Sequence, residues 1–257
     1  MVRAILFDLD ETLVEEEPSA AAAFAATALI AARCADLDPR RLAADARVHA
    51  RALWQAGPQY EHCRRIGMSS WEGLWCRFEG DTVALRALAA WAPSYRRESW
   101  RLALADQQVD DRELAQALGE RFGVERRARH VAFADCAAAL DALATRWPLA
   151  LVTNGASCLQ REKLRGAGLA ERFSAVVASG DIAAGKPAPE VFTHALALLG
   201  VAAHEAVMIG DNRVNDVEGA RRAGIRALWL DRDGEGAPAP DRIESLAALP
   251  AALDGAA

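Results

Sequence analysis

Two carboxylates stand two residues apart at the end of an apolar run, Asp8 and Asp10 in RAILFDLDETL. Ala4-Ile5-Leu6-Phe7 reads as a fully buried strand. Carboxylates crowded at the edge of an apolar sheet repel one another and lose hydration, so they need a cation or a shared proton. A solvated turn with Asp10 or Thr12 as helix N-cap is the alternative reading of this stretch by itself. Four other groups have comparable chemistry: Thr153-Asn154-Gly155, Ser179-Gly180-Asp181, Gly185-Lys186-Pro187, and Gly210-Asp211-Asn212 with Asn215-Asp216. Asp8, Asp10 and Asp211 offer hard oxygens to Mg²⁺, whose charge would also relieve the repulsion. Thr153 and the Asn154 backbone N–H can bond phosphate oxygens, and Lys186 can supply a point charge to phosphate and to a nucleophilic carboxylate. Positioning and charge stabilisation are most of what phosphoryl transfer requires. Only two of the 30 basic residues are lysine, Lys163 and Lys186. A chain that otherwise uses arginine has a compact ammonium at 186, and the two cations are not interchangeable.

These residues can meet only if the elements carrying them share an edge. Leu149 to Val152, Ala175 to Ala178, Ala206 to Ile209 and Ile225 to Leu230 read as strands. They alternate with helices over Leu159–Ala167, Pro189–Leu199 and Val214–Ala223, which predicts right-handed βαβ crossovers and a parallel sheet. Ligands in such sheets bind beyond the carboxyl ends of the strands, where each group above falls. The first strand must join this sheet, yet the next begins only at Leu149. Between them, Ala-, Leu- and Arg-rich helical segments run near 19–35, 38–56, 70–90, 94–105 and 111–122, with breaks at Gly57-Pro58 and Ala92-Pro93. The spacing predicts an α/β fold: a Rossmann-like parallel-sheet core, discontinuous over 1–13 and 136–257, with an inserted all-helical domain over 14–135.

The 257 residues are 52% hydrophobic and 26% charged, ordinary for a globular protein. No window approaches the ~18 uninterrupted apolar residues of a membrane helix, and acids follow Arg3 too soon for a signal peptide. A net charge of -6 argues against nucleic acid as a partner. Five scattered cysteines without a CxxC pair fit reduced thiols in a cytoplasmic protein.

FDLDETL, VTNG, GKP and GDNRVND resemble, in order, the four motifs of the haloacid dehalogenase superfamily, and the helical insertion is similar to that family's C1 cap. The resemblance implies a Mg²⁺-dependent phosphatase acting on a small phosphorylated metabolite, as a monomer or homodimer, with the cap closing to exclude water. It makes Asp8 the nucleophile and a metal ligand. Asp10 becomes the general acid and then base, with its backbone carbonyl on the metal. Thr153 and Asn154 bind phosphate, Lys186 neutralises it, and Asp211 ligates Mg²⁺. Thr12, Asn215 and Asp216 are supporting residues, Asp216 for the metal or Lys186 and Asn215 for its loop. Glu11 departs from the usual Gly, Asp or Asn, and Asn212 from the commoner Ser. Dehalogenases of the family resemble Asp-x-Tyr with Ser-Asn, because a carbon–halogen bond needs no protonated leaving group. Asp10 therefore points to ester cleavage. A phosphomutase and a non-catalytic binding descendant are the alternatives. In the insertion, Glu15 to Glu17, His49, Arg51, Trp54, Tyr60, His62, Arg64, Arg65, Trp71, Trp75, Arg96 and Arg97 are candidates for reading the leaving group, against an ordinary role in core or solvated surface.

Overall fold

The computed structural model describes residues 1–234, 236–237 and 239–254. Six parallel strands form one sheet in the order β3-β2-β1-β4-β5-β6. They are β1 (Ala4–Phe7), β2 (Leu149–Thr153), β3 (Ala175–Ala178), β4 (Ala206–Gly210), β5 (Arg226–Leu230) and β6 (Arg242–Ile243). The strands read as unbroken apolar runs because both faces are covered. Ile5, Phe7, Leu149, Leu151, Val207 and Ile209 enter one core, while Leu6, Ala150, Val152 and Met208 enter the other. The alternation is the period-two geometry of a strand, and each Ile, Leu, Val, Phe or Met among them contributes about 1.5–3 kcal/mol by leaving water.

β1 lies between β2 and β4, and the chain steps away from it in opposite directions, which opens a crevice at the carboxyl ends. Phe7 is in register with both Leu151 and Ile209. Asp8, Thr153 and Asp211 therefore reach the same edge.

The chain divides into two compact units, 1–15 with 131–257 and 16–130. The division differs from the expected 14–135 because the ends of the insertion are tied into the sheet unit. Val14 bridges Ala132 and the Glu15 N–H donates to the Val131 carbonyl at 2.9 Å. In the sheet unit, α7 (Cys136–Ala144) precedes β2, α8 (Ser157–Gly166) follows it, and the short α9 (Ser179–Ile182) leads towards Lys186. Next come α10 (Pro189–Leu199), a π-helical turn (Arg213–Glu218) running into α11 (Gly219–Arg222), and α12 (Leu249–Asp254). The expected helix over 214–223 is thus split between two windings.

The other unit is all helical: α1 (Glu16–Ala31), α2 (Pro39–Gln55), α3 (Tyr60–Arg65), α4 (Ser70–Gly73), α5 (Val83–Ala105) and α6 (Arg112–Arg127). The segment expected near 70–90 ends at Gly73 and resumes at Val83. Pro93, read as a break, instead lies inside α5. Burial of Tyr95, Trp100, Ala103 and Leu104 on one face outweighs the hydrogen bond the ring forfeits. Phe24 packs 4.4 Å from Phe122 and Trp91 stacks on Tyr95 at 4.6 Å. The buried Tyr95 hydroxyl donates to the Ser70 carbonyl at 2.7 Å, and Arg126 pairs with Glu16 inside the unit.

Candidate active site

Asp8 follows β1 directly, and its N–H donates to the Ile209 carbonyl at 3.0 Å. The chain then turns so that the Leu13 and Val14 N–H groups both reach the Leu9 carbonyl, at 2.8 and 3.0 Å. Leu9 and Leu13 are fully buried and anchor this turn. Glu11 sits at its apex with φ 58°, the left-handed region where Gly, Asn and Asp are favoured. That conformation accounts for the oddity of Glu11 in the sequence. Since α1 begins only at Glu16, neither Asp10 nor Thr12 is its N-cap. The Thr12 hydroxyl instead donates to Asp211 Oδ1 at 2.9 Å and accepts the Asp211 N–H at 3.0 Å, which fastens the first turn to the one after β4.

Lys186 carries the central positive charge. Its Nζ lies 2.6 Å from Asp8 Oδ1 and 2.6 Å from Asp216 Oδ1, with all three side chains buried or nearly so. Asp216 spends its second oxygen on the Asn212 N–H at 3.0 Å. Gly210 is required beside it, because a Cβ there would lie 2.3 Å from the Asp216 carboxyl carbon. The backbone of Lys186 is held as firmly as its ammonium. Asn154 Oδ1 accepts its N–H at 2.7 Å and Asn154 Nδ2 donates to its carbonyl at 3.0 Å. The Asn154 side chain is therefore a staple for Lys186, leaving its backbone N–H as the group suited to phosphate. Thr153 is buried beside it, with Oγ1 3.4 Å from Gln160 Oε1. Asn215, expected to hold the loop, is itself held: its N–H donates to Asn212 Oδ1 at 2.9 Å. The Asn212 side chain caps the turn, accepting also from Val214.

The electrostatics follow from one ammonium among several acids. Burial and then the Asp216 charge push Asp8 up to about 6, against the pull of Lys186. Burial and then Asp8 push Asp211 up to about 6 as well, although the Thr12 hydroxyl favours its ionised form. Burial also raises Asp216. Lys186 is itself held above the ordinary lysine range, because Asp216 and Asp8 outweigh the burial that opposes its charge.

Carboxylate oxygens of Asp8, Asp211 and Asp216 all lie within 4.8 Å of one another. This all-oxygen donor set, with charge to spare, fits Mg²⁺. Asp216 has both oxygens engaged, so Asp8 and Asp211 are the fitting ligands and Asp216 the support. The Asp10 carboxylate, expected among the metal ligands, lies outside this cluster and is held by Lys163 at 3.0 Å.

This charge balance predicts a pH-dependent response to metal. A carboxyl raised from 3.8 to about 6 in the folded state binds protons more tightly there than when unfolded, so its contribution to stability falls as pH rises from about 4 through 6. A tenfold difference in proton affinity between the folded and unfolded states corresponds to roughly 1.4 kcal/mol. With the two sites coupled, metal-free protein at pH 7.5 is expected to be about 2 kcal/mol less stable on this account than at pH 4.5. Mg²⁺ bound to Asp8 and Asp211 would remove the repulsion. The rise in melting temperature from EDTA to MgCl2 should therefore be larger at pH 7.5 than at pH 5, and should be lost in Asp211→Asn. An equal response at both pH values would contradict the assignment.

Four positioning residues have no counterpart in the sequence motifs. Lys163 and Gln160 reach Asp10 and Thr153 from α8. Trp229 Nε1 donates to the Asp211 carbonyl at 2.7 Å, and Arg232 Nη2 donates to the Thr12 carbonyl at 2.7 Å while lying 3.9 Å over Phe133. The compositional signal that singled out Lys186 applied equally to Lys163; nothing in the sequence marked the others. In the helical unit, Trp54 and Trp75 are core residues, His49 pairs with Asp106 at 2.6 Å, Arg64 pairs with Glu61 on the surface, and Arg96 donates to the Cys76 carbonyl.

The family model for haloacid dehalogenase-like hydrolases matches residues 2–224. Phosphoserine phosphatase of Thermus thermophilus is 43% identical over 237 residues, covering 90% of this chain and 89% of its own. N-acylneuraminate-9-phosphatase of Mus musculus is 32% identical over 166 residues, 62% of this chain and 67% of that protein. Among solved structures, 2-haloacid dehalogenase from Pseudomonas syringae pv. Tomato DC3000 superposes with a TM-score of 0.63 at 28% identity, with all of both chains covered. The magnesium-bound HAD-hydrolase YfnB of Bacillus subtilis shares the fold, with a TM-score of 0.64 at 20% identity over 98% of this chain and 99% of that one. A match over most of the chain makes this protein a member of the haloacid dehalogenase-like hydrolase family.

Proposed function

We propose that the chain is a Mg²⁺-dependent phosphatase that hydrolyses a small phosphorylated metabolite through an aspartyl-phosphate on Asp8. The observation that carries this reading is the Asp8 carboxylate, held 2.6 Å from Lys186, beside Asp211 and two residues from a second carboxylate at Asp10. In the first half-reaction an Asp8 oxygen attacks phosphorus and the bond to the leaving oxygen breaks, while Asp10 donates a proton to that oxygen. In the second, water attacks the same phosphorus, Asp10 takes its proton, and the Asp8–phosphorus bond breaks to give orthophosphate and restore both carboxyl groups. Thr153, the Asn154 N–H and Lys186 hold the phosphoryl oxygens as charge spreads over them. When bound to Asp8 and Asp211, Mg²⁺ would supply further charge stabilisation and orient the phosphate.

The 43% identity to a phosphoserine phosphatase makes a phosphorylated hydroxy-amino acid the first substrate to try. Family membership alone does not separate ester hydrolysis from dehalogenation, and the likeness to a 2-haloacid dehalogenase is real. Asp10 supports ester hydrolysis: an alkoxide leaving group needs a proton and a halide does not.

The test is orthophosphate release from O-phosphoserine and a panel of phosphomonoesters, with Mg²⁺ or EDTA, beside chloride release from 2-chloropropionate. Mg²⁺-dependent phosphate release without chloride release is expected. Chloride release, or phosphate release indifferent to EDTA, would overturn the proposal.

A further inference from the structure

The residue that holds Asp10 lies outside every motif. We propose that Lys163 is the positioning residue for Asp10, fixing the carboxylate that moves the proton; this rests on the proton-transfer role proposed for Asp10 above. Lys163 Nζ lies 3.0 Å from Asp10 Oδ1 and 3.0 Å from Oδ2. The lysine side chain is 1% exposed and the aspartate 28% exposed, so the cation is rooted in the protein while the carboxylate it holds is open to solvent.

A carboxylate on a turn has three staggered wells for χ1 and a broad χ2. A general acid must present one oxygen within hydrogen-bond reach of the leaving oxygen, so each idle rotamer lowers the rate. One nitrogen equidistant from both oxygens fixes the carboxylate plane and the rotamer together. Helix α8 supplies the rigidity. Gln160, three residues before Lys163 and therefore on the same helical face, is fully buried and reaches Thr153 Oγ1. Its amide fills the space over Gly155, where a Cβ would come within 2.4 Å of Gln160 Nε2. One helix thus braces both a phosphate-binding hydroxyl and the proton-transfer carboxylate.

Residue type supports the same assignment. In a chain that otherwise uses arginine, both lysines place a single nitrogen on the carboxylates of the β1 edge, Lys186 on Asp8 and Lys163 on Asp10. A guanidinium would spread its charge over a planar fork and could not reproduce a one-nitrogen contact to both oxygens.

The test separates positioning from bulk stability by varying how much the leaving group needs a proton. With Mg²⁺ present, kcat/KM is measured for phenyl phosphates from the 2,4-dinitrophenyl to the 4-methylphenyl ester, on wild type, Lys163→Met, Asp10→Asn and the double variant. The wild type should depend weakly on leaving-group basicity. Lys163→Met should steepen that dependence, losing on the order of tenfold more on the 4-methylphenyl than on the dinitrophenyl ester. In the Asp10→Asn background the lysine change should cost nothing further. Lys163→Gln and Lys163→Arg, each assayed below its own melting transition, carry the same comparison if the methionine variant does not fold, and arginine should restore only part of the lost selectivity. A uniform loss across the series, or an equal loss with and without Asp10, would overturn the role of Lys163. An Asp10→Asn enzyme with unchanged leaving-group dependence would instead overturn the role of Asp10 itself.

Discussion

Asp8→Asn should lower phosphate release by about 10³-fold or more, because an amide oxygen cannot form the acyl-phosphate that divides the reaction into two steps. The same change should stabilise the metal-free protein. Asp8 is pushed up to about 6 by burial and by the Asp216 charge, so at pH 7.5 the folded state carries an ionised carboxylate that the unfolded chain holds more cheaply. A neutral amide of the same shape removes that cost while keeping an oxygen for Lys186. The expected result is a dead enzyme with a melting temperature in EDTA equal to or above that of the wild type. Residual turnover above about one per cent, beyond what contaminating phosphatase explains, would rule out Asp8 as the nucleophile. A fall in melting temperature would instead show that Asp8 matters mainly for folding.

Lys186→Met should have the opposite effect on stability and a similar effect on rate. The ammonium stands 2.6 Å from Asp8 and 2.6 Å from Asp216, both buried, so its removal leaves two carboxylates without their cation. Removing one partner from a buried ionic cluster costs about 3–5 kcal/mol, whereas replacing the whole cluster can cost far less. The destabilisation should be large at pH 7.5 and smaller at pH 5, where the orphaned carboxyls, their pKa raised further, take up protons in the folded state. Adding Asp216→Asn should recover part of the stability but none of the activity, since the charge opposite the transferring phosphoryl group is still missing. Urea unfolding at the two pH values, with turnover measured alongside, checks both statements. A pH-independent loss would mean that Lys186 contributes packing rather than charge.

Much of this site was legible in the sequence because strand ends are legible. Continuous apolar runs, each ended by Asp8, Thr153 or Asp211, place their terminal residues on one edge once the sheet is parallel, and the register about Phe7 does so. What periodicity misplaced was helix geometry decided by packing. Pro93 stays inside α5 because Tyr95 and Trp100 are buried beyond it, and the turn after β4 widens into a π-helix around the buried Asp216. The two-residue β6 is too short to leave a pattern. Trp229 and Arg232 were invisible as site residues for a different reason, and the rarity of lysine, which marked Lys163, did not say what it would reach. Each acts through a long side chain on an element distant in sequence, and spacing along the chain carries no record of such a reach. Asn154 shows the same limit at closer range: the sequence offered its backbone N–H to phosphate but held no sign that its side chain would hold the Lys186 backbone.

The pairing of Val14 with Ala132 and of Glu15 with Val131 bears on how such a chain can change over generations. These contacts bring the exit from the first turn and the return to the sheet unit side by side, closed by the sheet unit's own backbone. For chain entropy, the whole helical stretch then behaves as a long excursion between two adjacent posts. The cost of closing such an excursion rises by only about 0.6 kcal/mol for each doubling of its length. Thr12, Asn154, Lys163 and Asp216, which hold the strand-end carboxylates and Lys186, all belong to the sheet unit. The helical stretch can therefore change in length at small entropic cost while these contacts within the sheet unit are kept.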